Sequence, residues 1–335
     1  MLAAWAEYMA AALAFFLLVK NRMLRVSVVI PAHNEAAGIG ALVRSVRAQA
    51  PPETEVEVLV VDDASTDGTS DVARAAGARV LRMEEGGNPA AARNCGAAAS
   101  TGDPIIFLDA DCTPDAGWLA AFLAAHDRGE VTVGGSLDLP AGLSATARCD
   151  YYCGWYLVHS KRPAGPVPHH PPPNLSVRRE AFFRTSGFAE RQPYSYTNEE
   201  RFWQAELRRE GHRIWFEPAA RVFHHNRPGF ANLLRRNYRW AYTAVPSKAQ
   251  TGTARLAWLY RNPRLLIAAS LPLALAHTGF IVGCWLRAGV LEPVWMLPAI
   301  LVSRFAYAAG LAAGGVQWLR RRKSTEDTAW APRWS

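Results

Sequence analysis

The sequence predicts an α/β domain built on a doubly wound, mostly parallel sheet, with an N-terminal anchor helix before it and a C-terminal transmembrane helical hairpin after it. Three observations carry this expectation. Short β-branched and apolar runs alternate with short helical patterns through the first third of the chain, as a parallel sheet with crossover helices requires. Two of those runs close on acids, Asp62-Asp63 after "VEVLVV" and Asp109-Ala110-Asp111 after "PIIFL". Beyond residue 264, two long segments are nearly free of charge.

The elements follow in order. "RVSVVIP" (25–31) reads as a strand, and "EAAGIGALVRSVRAQA" (35–50) has apolar residues at helical spacing. "EVLVVD" (57–62) is a second strand. "TDGTSDVARAAG" (66–77) opens on a Thr cap with Asp67 in its first turn and stops at Gly77, a helix start and stop signature. "ARVLRM" (78–83) is a short strand; "NPAAARNCGAAASTG" (88–102) is an Ala-rich helix with proline near its first turn. "PIIFLDAD" (104–111) is the fourth strand, and there is no internal repeat. "RPAGPVPHHPPP" (162–173) is a loop, because proline lacks the amide donor that regular structure needs; His169 and His170 read there as solvated loop residues.

The chain has 335 residues, half of them hydrophobic, and a net charge of +8. Its basic residues concentrate beside apolar segments, which points to an anionic membrane surface and away from nucleic acid. Leu265–Leu286 is 22 residues long with no formal charge, enough to span a bilayer, and Pro293–Leu319 carries only Arg304. Arg304 in mid-span implies a helix–helix contact, snorkelling or a lipid headgroup. Met1–Val19 holds one charge, Glu7, and is followed by Lys20, Arg22 and Arg25, the pattern of an uncleaved anchor that either spans or lies on the membrane. Arg320, Arg321, Arg322 and Lys323 follow the last segment. Positive flanks stay cytoplasmic, so the expected protein is a multi-pass inner-membrane protein with its central domain in the cytoplasm. The resulting division is an anchor (1–22), a central domain (25–228), amphipathic interfacial helices (229–262), the hairpin (265–319) and a basic tail (320–335). The five cysteines, Cys95, Cys112, Cys149, Cys153 and Cys284, lack the spacing of a zinc site and read as thiols in a reducing compartment.

The acids carry the chemistry. Carboxylates just past the carboxyl ends of parallel strands sit where open α/β sheets bind ligands. Asp63, or Asp62, suits the ring and ribose of a nucleoside, unless the pair merely caps the next turn. Asp109 and Asp111 suit a hard divalent cation, Mg²⁺ or Mn²⁺, that carries a diphosphate. Arg93, in the helix before that strand, is either a fork of donors for the diphosphate or a surface charge. Glu199 and Glu200 open an amphipathic helix; either accepts a proton from an attacking hydroxyl, or both simply start a helix well. His225 or its neighbour His224 offers a third metal ligand or a structural imidazole. Leu233, Tyr238, Ala241, Tyr242 and Val245 recur at helical spacing with Arg235, Arg236 and Arg239 between them, the pattern of an interfacial helix or of a core helix with a basic face.

These residues resemble the family-2 inverting glycosyltransferases, which have a GT-A fold. The resemblance runs from about Val26 to Tyr242. "VSVVIPAHNEAAGI" is similar to the family's opening strand and loop and implies donor contacts by Pro31, Asn34 and Glu35. "VVDDASTDGT" implies a uracil contact by Asp63. "ARNCGAAASTGDPIIFLDAD" resembles the Arg-Asn helix and metal-binding Asp-X-Asp, landing on Asp109 and Asp111. "PNLSVRREAFFRTSGF" resembles the acceptor-side segment and implies Asn174. "NEERFWQ" resembles the segment that carries Glu-Asp, so Glu200 stands where the base is an aspartate, with Glu199 as rival. "RRNYRW" is similar to the Gln-X-X-Arg-Trp motif of processive synthases, implying acceptor contacts by Arg239 and Trp240, but Arg236 replaces the Gln, so processivity is not implied.

The resemblance implies transfer of a sugar, from a UDP-linked donor with Mg²⁺ or Mn²⁺, to a lipid or lipid-linked acceptor at the membrane. Rival readings are a nucleotidylyltransferase, disfavoured because "PAHNEAAGIG" has no basic residue, and a non-catalytic sugar-nucleotide-binding membrane module. A dinucleotide-dependent oxidoreductase is excluded because Gly38-Ile39-Gly40 lacks the third glycine at Val43.

Overall fold

The computed structural model describes residues 24–86, 88–190, 197–254 and 256–321. The N-terminal anchor segment and residues 322–335 of the basic tail lie outside the described residues. The first half alternates as expected: β1 (Leu24–Ala32), α1 (Ile39–Ala48), β2 (Thr54–Asp63), α2 (Thr69–Ala75), β3 (Arg79–Met83), α3 (Pro89–Ala99) and β4 (Ile105–Leu108). After it come β5 (Cys112–Pro114), α4 (Trp118–Asp127), β6 (Thr132–Asp138), α5 (Ala145–Gly154), β7 (Gly165–Val167), β8 (Asn174–Val177), α6 (Arg179–Phe183), α7 (Arg201–Arg209) and β9 (Ile214–His224).

One sheet joins these strands in the order β3-β2-β1-β4-β8-β6-β9-β5, with β7 also paired to β9. The pairs β3-β2, β2-β1 and β1-β4 are parallel. β8 is antiparallel to both β4 and β6, and β9 is parallel to β6, so among the described residues only β5, β7 and β8 run against the rest. β1 is buried on both faces, as a central parallel strand must be. Val28 and Ile30 pack with Ile39 and Val43 of α1 on one side. Val29 packs with Val61 and the alanines of α3 on the other. α3 lies so close to the sheet that a Cβ on Gly96 would come within 2.3 Å of Val29 Cγ1.

Local chemistry moved several boundaries. α2 begins at Thr69 after Gly68 at φ 80°, not at a Thr66 cap. Asp67 instead accepts backbone N–H groups from Thr69 and Ala36, both at 3.1 Å. α3 is capped by Asn88, whose side chain accepts the Ala91 N–H at 2.9 Å. The fourth strand stops at Leu108, which frees Asp109–Asp111 from the sheet. The proline-rich loop contains the edge strand β7, a place where proline's missing donor faces no partner. His170, expected in solvent, is fully buried and its ring bonds the Gly135 and Pro171 carbonyls, both at 2.8 Å.

The C-terminal third is helical: α8 (Phe230–Thr251), α9 (Ala257–Tyr260), α10 (Pro263–Ala268), α11 (Ser270–Arg287), α12 (Glu292–Trp295) and α13 (Leu297–Arg321). The expected first limb of the hairpin is interrupted at Ala269 between α10 and α11. Among the described residues one helix, Leu297–Arg320, is long and apolar enough to cross a membrane, and half of its apolar window is buried within the protein. α8 packs along α13: Gly310 faces Tyr238 and Ala241, and Gly314 faces Tyr242 and Val245. Glycine four apart lets two backbones approach where any side chain would clash. The buried stripe of α8 is Leu233, Asn237, Ala241 and Val245, whereas Phe230 and Tyr238 are exposed. Trp285 of α11 donates to the Tyr152 carbonyl at 2.9 Å, and Glu292 accepts from Arg148 at 2.6 Å, so these helices are joined to α5 of the sheet domain.

Candidate active site

A cavity of about 680 Å³ opens at the carboxyl ends of β1, β2 and β4 and runs to the wall formed by α8 and α13. In-register pairing of Ala32 with Asp62 sets the loops after β1 and β2 side by side. Asn34 holds these loops together: its N–H donates to Ser65 Oγ at 2.9 Å, and its Oδ1 accepts the Thr66 N–H at 2.8 Å. Asn34 is therefore a loop brace and does not line the cavity, contrary to its expected donor contact. Pro31, Glu35 and Asp63 do line it. Glu35 accepts from Arg227 at 3.1 Å. Burial and the nearby Asp111 charge raise the Glu35 carboxyl, against the Arg227 guanidinium.

Asp62 points the other way. It is fully buried and accepts from the Ser65 N–H at 2.8 Å, from Ser70 Oγ and from Arg82 at 2.7 Å. Burial pushes its carboxyl up, but those bonds and the Arg82 charge outweigh it and hold the carboxyl low. Its oxygens are taken by the loop, so of the acidic pair only Asp63 faces the cavity.

Asp109, Ala110 and Asp111 line the cavity where the chain leaves β4. Asp111 Oδ1 is buried without a hydrogen-bond partner and lies 3.5 Å from His224 Nε2. Asp111, Cys112 and His224 bring ligand atoms within 4.8 Å of one another. His224 Nδ1 donates to Asn226 Oδ1 at 2.9 Å, which leaves Nε2 as the free lone pair. Asn226 in turn donates to Asp150 at 2.8 Å, so the imidazole is oriented through a second layer, as metal-ligating histidines are. Burial, with Asp111 and Asp109 next, pushes the Cys112 thiol well up, so the oxygen and imidazole groups are the apt donors for a hard cation. The orphaned Asp111 oxygen and the prepared imidazole fit a divalent metal. His225, the expected ligand, is exposed and its ring sits 3.0 Å from Thr113 Oγ1. The two-residue period of β9 (Ala220, Val222 and His224 inward) distinguishes the two histidines, and the sequence carried that signal.

Arg93 is buried and bridges two acids, donating to Asp109 Oδ1 at 2.5 Å and to Glu199 Oε1 at 2.8 Å. It is thus neither a surface charge nor a free fork. Glu200 bonds His169 Nε2, and both glutamates line the cavity. Burial raises both carboxyls; the Glu200 charge adds to the rise at Glu199, whereas Arg201 opposes it at Glu200. Burial, with the Arg201 and Lys248 charges, holds His169 far below the usual imidazole range, so it is neutral beside Glu200. The sequence reading missed His169 because a proline-rich segment looked like solvated loop.

On the far wall, Arg239 and Trp240 line the cavity. Trp240 packs edge-on against Trp155, with the Arg236 guanidinium over its ring at 4.4 Å. Asn174 does not reach the cavity. It is fully buried, donates to the Ser136 and Ala220 carbonyls at 2.9 and 2.7 Å, and accepts from Trp118 at 2.8 Å, which makes it a brace between β8, β6 and β9.

This fold and site define a class: a GT-A glycosyltransferase that takes a nucleotide-sugar donor with a divalent metal. Residues 27–183 match the model of Glycosyl transferase family 2. It is 29% identical, over 91% of its length and 73% of the relative's, to the pre-mycofactocin glycosyltransferase of Mycobacterium tuberculosis. It is 36% identical to the glycosyltransferase AglE of Haloferax volcanii over 40% of this chain and 47% of that one. Among solved structures, the mannosyltransferase PcManGT from Pyrobaculum calidifontis in complex with GDP-Man and Mn²⁺ matches with a TM-score of 0.59 at 21% identity, covering 96% of this chain and 98% of that one. S. aureus TarS 1–349 in complex with UDP-GlcNAc matches with a TM-score of 0.52 at 16% identity, covering 89% and 92%.

Proposed function

We propose that the protein transfers a sugar from a UDP-linked donor, with inversion, to a hydroxyl of a lipid or lipid-linked glycan at the cytoplasmic face of the cell membrane. One observation carries the reading: Asp63, Asp109, Asp111 and Glu200, widely separated in the chain, line a single cavity. Asp63 accepts from the nucleoside. Asp109, Asp111 and His224 are the residues that would hold Mg²⁺ or Mn²⁺, and a cation bound there neutralises charge on the leaving diphosphate. Arg93 fixes Asp109 in place.

Glu200 is the base. Burial raises both carboxyls, but Glu199 is held in the Arg93 ion pair, whose guanidinium opposes that rise, whereas Glu200 faces a neutral imidazole. A raised carboxyl is better matched to taking a proton near neutral pH. Glu200 removes the hydroxyl proton, the acceptor oxygen bonds to the anomeric carbon, and the bond to the nucleotide diphosphate breaks on the opposite face.

The membrane part of the reading rests on exposed apolar surface. Among the described residues, every strongly exposed large apolar side chain except Leu24, Val72 and Leu157 lies at or beyond Phe230, with Trp258 56% and Trp295 82% exposed. Such a patch favours a bilayer or partner surface. Arg320 at the end of the apolar helix favours a cytoplasmic placement of that end. Among the described residues one helix is long and apolar enough to span, which does not support the multi-pass topology. A second acceptor reading, a pre-mycofactocin, comes from the relative that aligns with most of this chain.

The test is a donor panel of UDP- and GDP-sugars with Mn²⁺, offered with membrane lipid extract or with pre-mycofactocin, products being read by mass spectrometry. A glycosylated lipid supports the first acceptor and a glycosylated pre-mycofactocin the second. Absence of any transfer despite donor binding would overturn the catalytic reading.

A further inference from the structure

The cavity has a second arm, away from the strand ends, where α7, α8 and α13 contribute Arg201, Lys248 and Arg304 to the lining. Three other cations of the lining are held by acids: Arg93 by Asp109 and Glu199, Arg227 by Glu35, Arg236 by Asp150. The three of the second arm have no carboxylate partner among the described residues. Lys248 Nζ meets Tyr260 Oη at 3.1 Å, and Arg201 Nε donates to Asn198 Oδ1 at 2.6 Å. Arg304 donates to Asn237 Oδ1 and, at 3.3 Å, to Ser303 Oγ. Arg201 directly follows Glu200, yet that carboxylate bonds His169 instead.

Arg304 is 1% exposed on an otherwise apolar helix. The Asp150 charge reaches Arg304, but that carboxylate is already engaged by Arg236 and Asn226. A buried cation with no carboxylate in contact is costly, and such groups are tolerated where a ligand supplies the missing charge. Burial and the like charge of Arg201 depress the Lys248 ammonium, so the cations also strain one another. Tyr307 lies beside Arg304, its ring 4.9 Å from the guanidinium, and adds a phenol to the same wall.

Resting on the glycosyltransferase reading, we propose that this arm is an anion subsite, in which Lys248, Arg201 and Arg304 bind a phosphate or carboxylate carried by the acceptor. It selects acceptors with a negative group set back from the hydroxyl that Glu200 deprotonates. A neutral acceptor leaves three cations unpaired and is discriminated against for that reason.

The test uses the full chain in detergent and isothermal titration with dodecyl phosphate, dodecanoate, dodecanol and inorganic phosphate, after saturation with UDP and Mn²⁺. The two amphiphilic anions bind at least about tenfold more tightly than dodecanol. Lys248→Met removes most of that preference, Lys248→Arg keeps it, and both variants bind UDP–Mn²⁺ as the parent does. Competition by inorganic phosphate at similar concentration assigns the subsite to soluble anions; failure to compete assigns it to a lipid-borne group. Equal binding of dodecanol and the anions, or an anion preference unchanged in Lys248→Met, overturns the subsite. Failure of the parent to bind UDP–Mn²⁺ overturns the glycosyltransferase reading itself, a separate result.

Discussion

Arg93 and Glu199, 106 positions apart in the chain, meet in a buried ion pair at 2.8 Å. The same guanidinium holds Asp109 at 2.5 Å, so the helix before β4 links the proposed metal side of the cavity to the base side. Truncating one member of such a pair strands a buried charge, which costs about 3–5 kcal/mol. Arg93→Met is therefore expected to lower the urea midpoint sharply and to weaken donor binding as Asp109 loses its brace. Arg93→Lys restores the charge but not both bonds, and should fall between. A midpoint unchanged in Arg93→Met would remove the bridge from the account.

Glu200 yields a pH prediction with a definite sign. Its carboxyl is raised in the folded protein above the ordinary value of 4.5, so the folded state holds that proton more tightly than the unfolded chain. The associated stability is full below the ordinary carboxylate range and is lost as pH rises through the raised value. Glu200→Gln carries no such loss. It should melt like the parent at pH 4 and a few degrees higher at about pH 8, while binding donor and failing to transfer. The acid limb of kcat/KM in the parent should lie above 4.5. Equal melting of parent and variant across the range would contradict the burial argument, and full turnover by the variant would move the base elsewhere.

The two adjacent histidines make a paired test of the metal assignment. His224→Ala should weaken Mn²⁺ binding, and Asn226→Ala, by releasing the imidazole, about 10–100-fold. His225→Ala should leave it unchanged, because that ring rests on Thr113 at the surface. Asp111→Asn should abolish metal-dependent turnover. Titration of Mn²⁺ by electron paramagnetic resonance reads the three binding variants and a Mn²⁺-dependent transfer assay reads Asp111→Asn; a loss at His225 with none at His224 would reverse the assignment.

Gly310 tests the join between α8 and α13. A Cβ there would stand 2.3 Å from the Tyr238 carbonyl oxygen, a contact no rotamer relieves. Gly310→Leu should destabilise the helical bundle and impair acceptor use more than UDP binding, since Arg239 and Trp240 ride on α8. Gly279, with nothing near its Cβ position, is the control, and Gly279→Ala should be neutral. Equal effects of the two substitutions on thermal unfolding would show that the close approach is unimportant.

The alternating half was legible because β1 and β2 are rich in β-branched residues, β4 is a short fully apolar run, and acids close β2 and follow β4. β6 and β8 were not, because "TVGGSLD" and "NLSV" are short and polar and owe their pairing to strands far away in sequence. Asp63, Asp109, Asp111 and Glu200, singled out by motif and strand-end position, line one cavity. Asp62, Asn34 and Asn174 belong to the same motifs, but their side chains are consumed by loop and strand bracing, which spacing alone does not reveal. The helical C-terminal third reads from sequence as interfacial helices (229–262) and a transmembrane hairpin (265–319). Its apolar residues serve two purposes, outward exposure and packing against α8 and α5, and composition does not separate them.

The Gly310–Gly314 seam has a mechanical consequence. The helix bearing Arg239 and Trp240 lies backbone to backbone against the apolar helix 297–320, so a displacement of one would carry the other. If the proposed membrane placement holds, a change in bilayer thickness that tilted the apolar helix would be felt at Arg239 and Trp240 before it reached the strand ends.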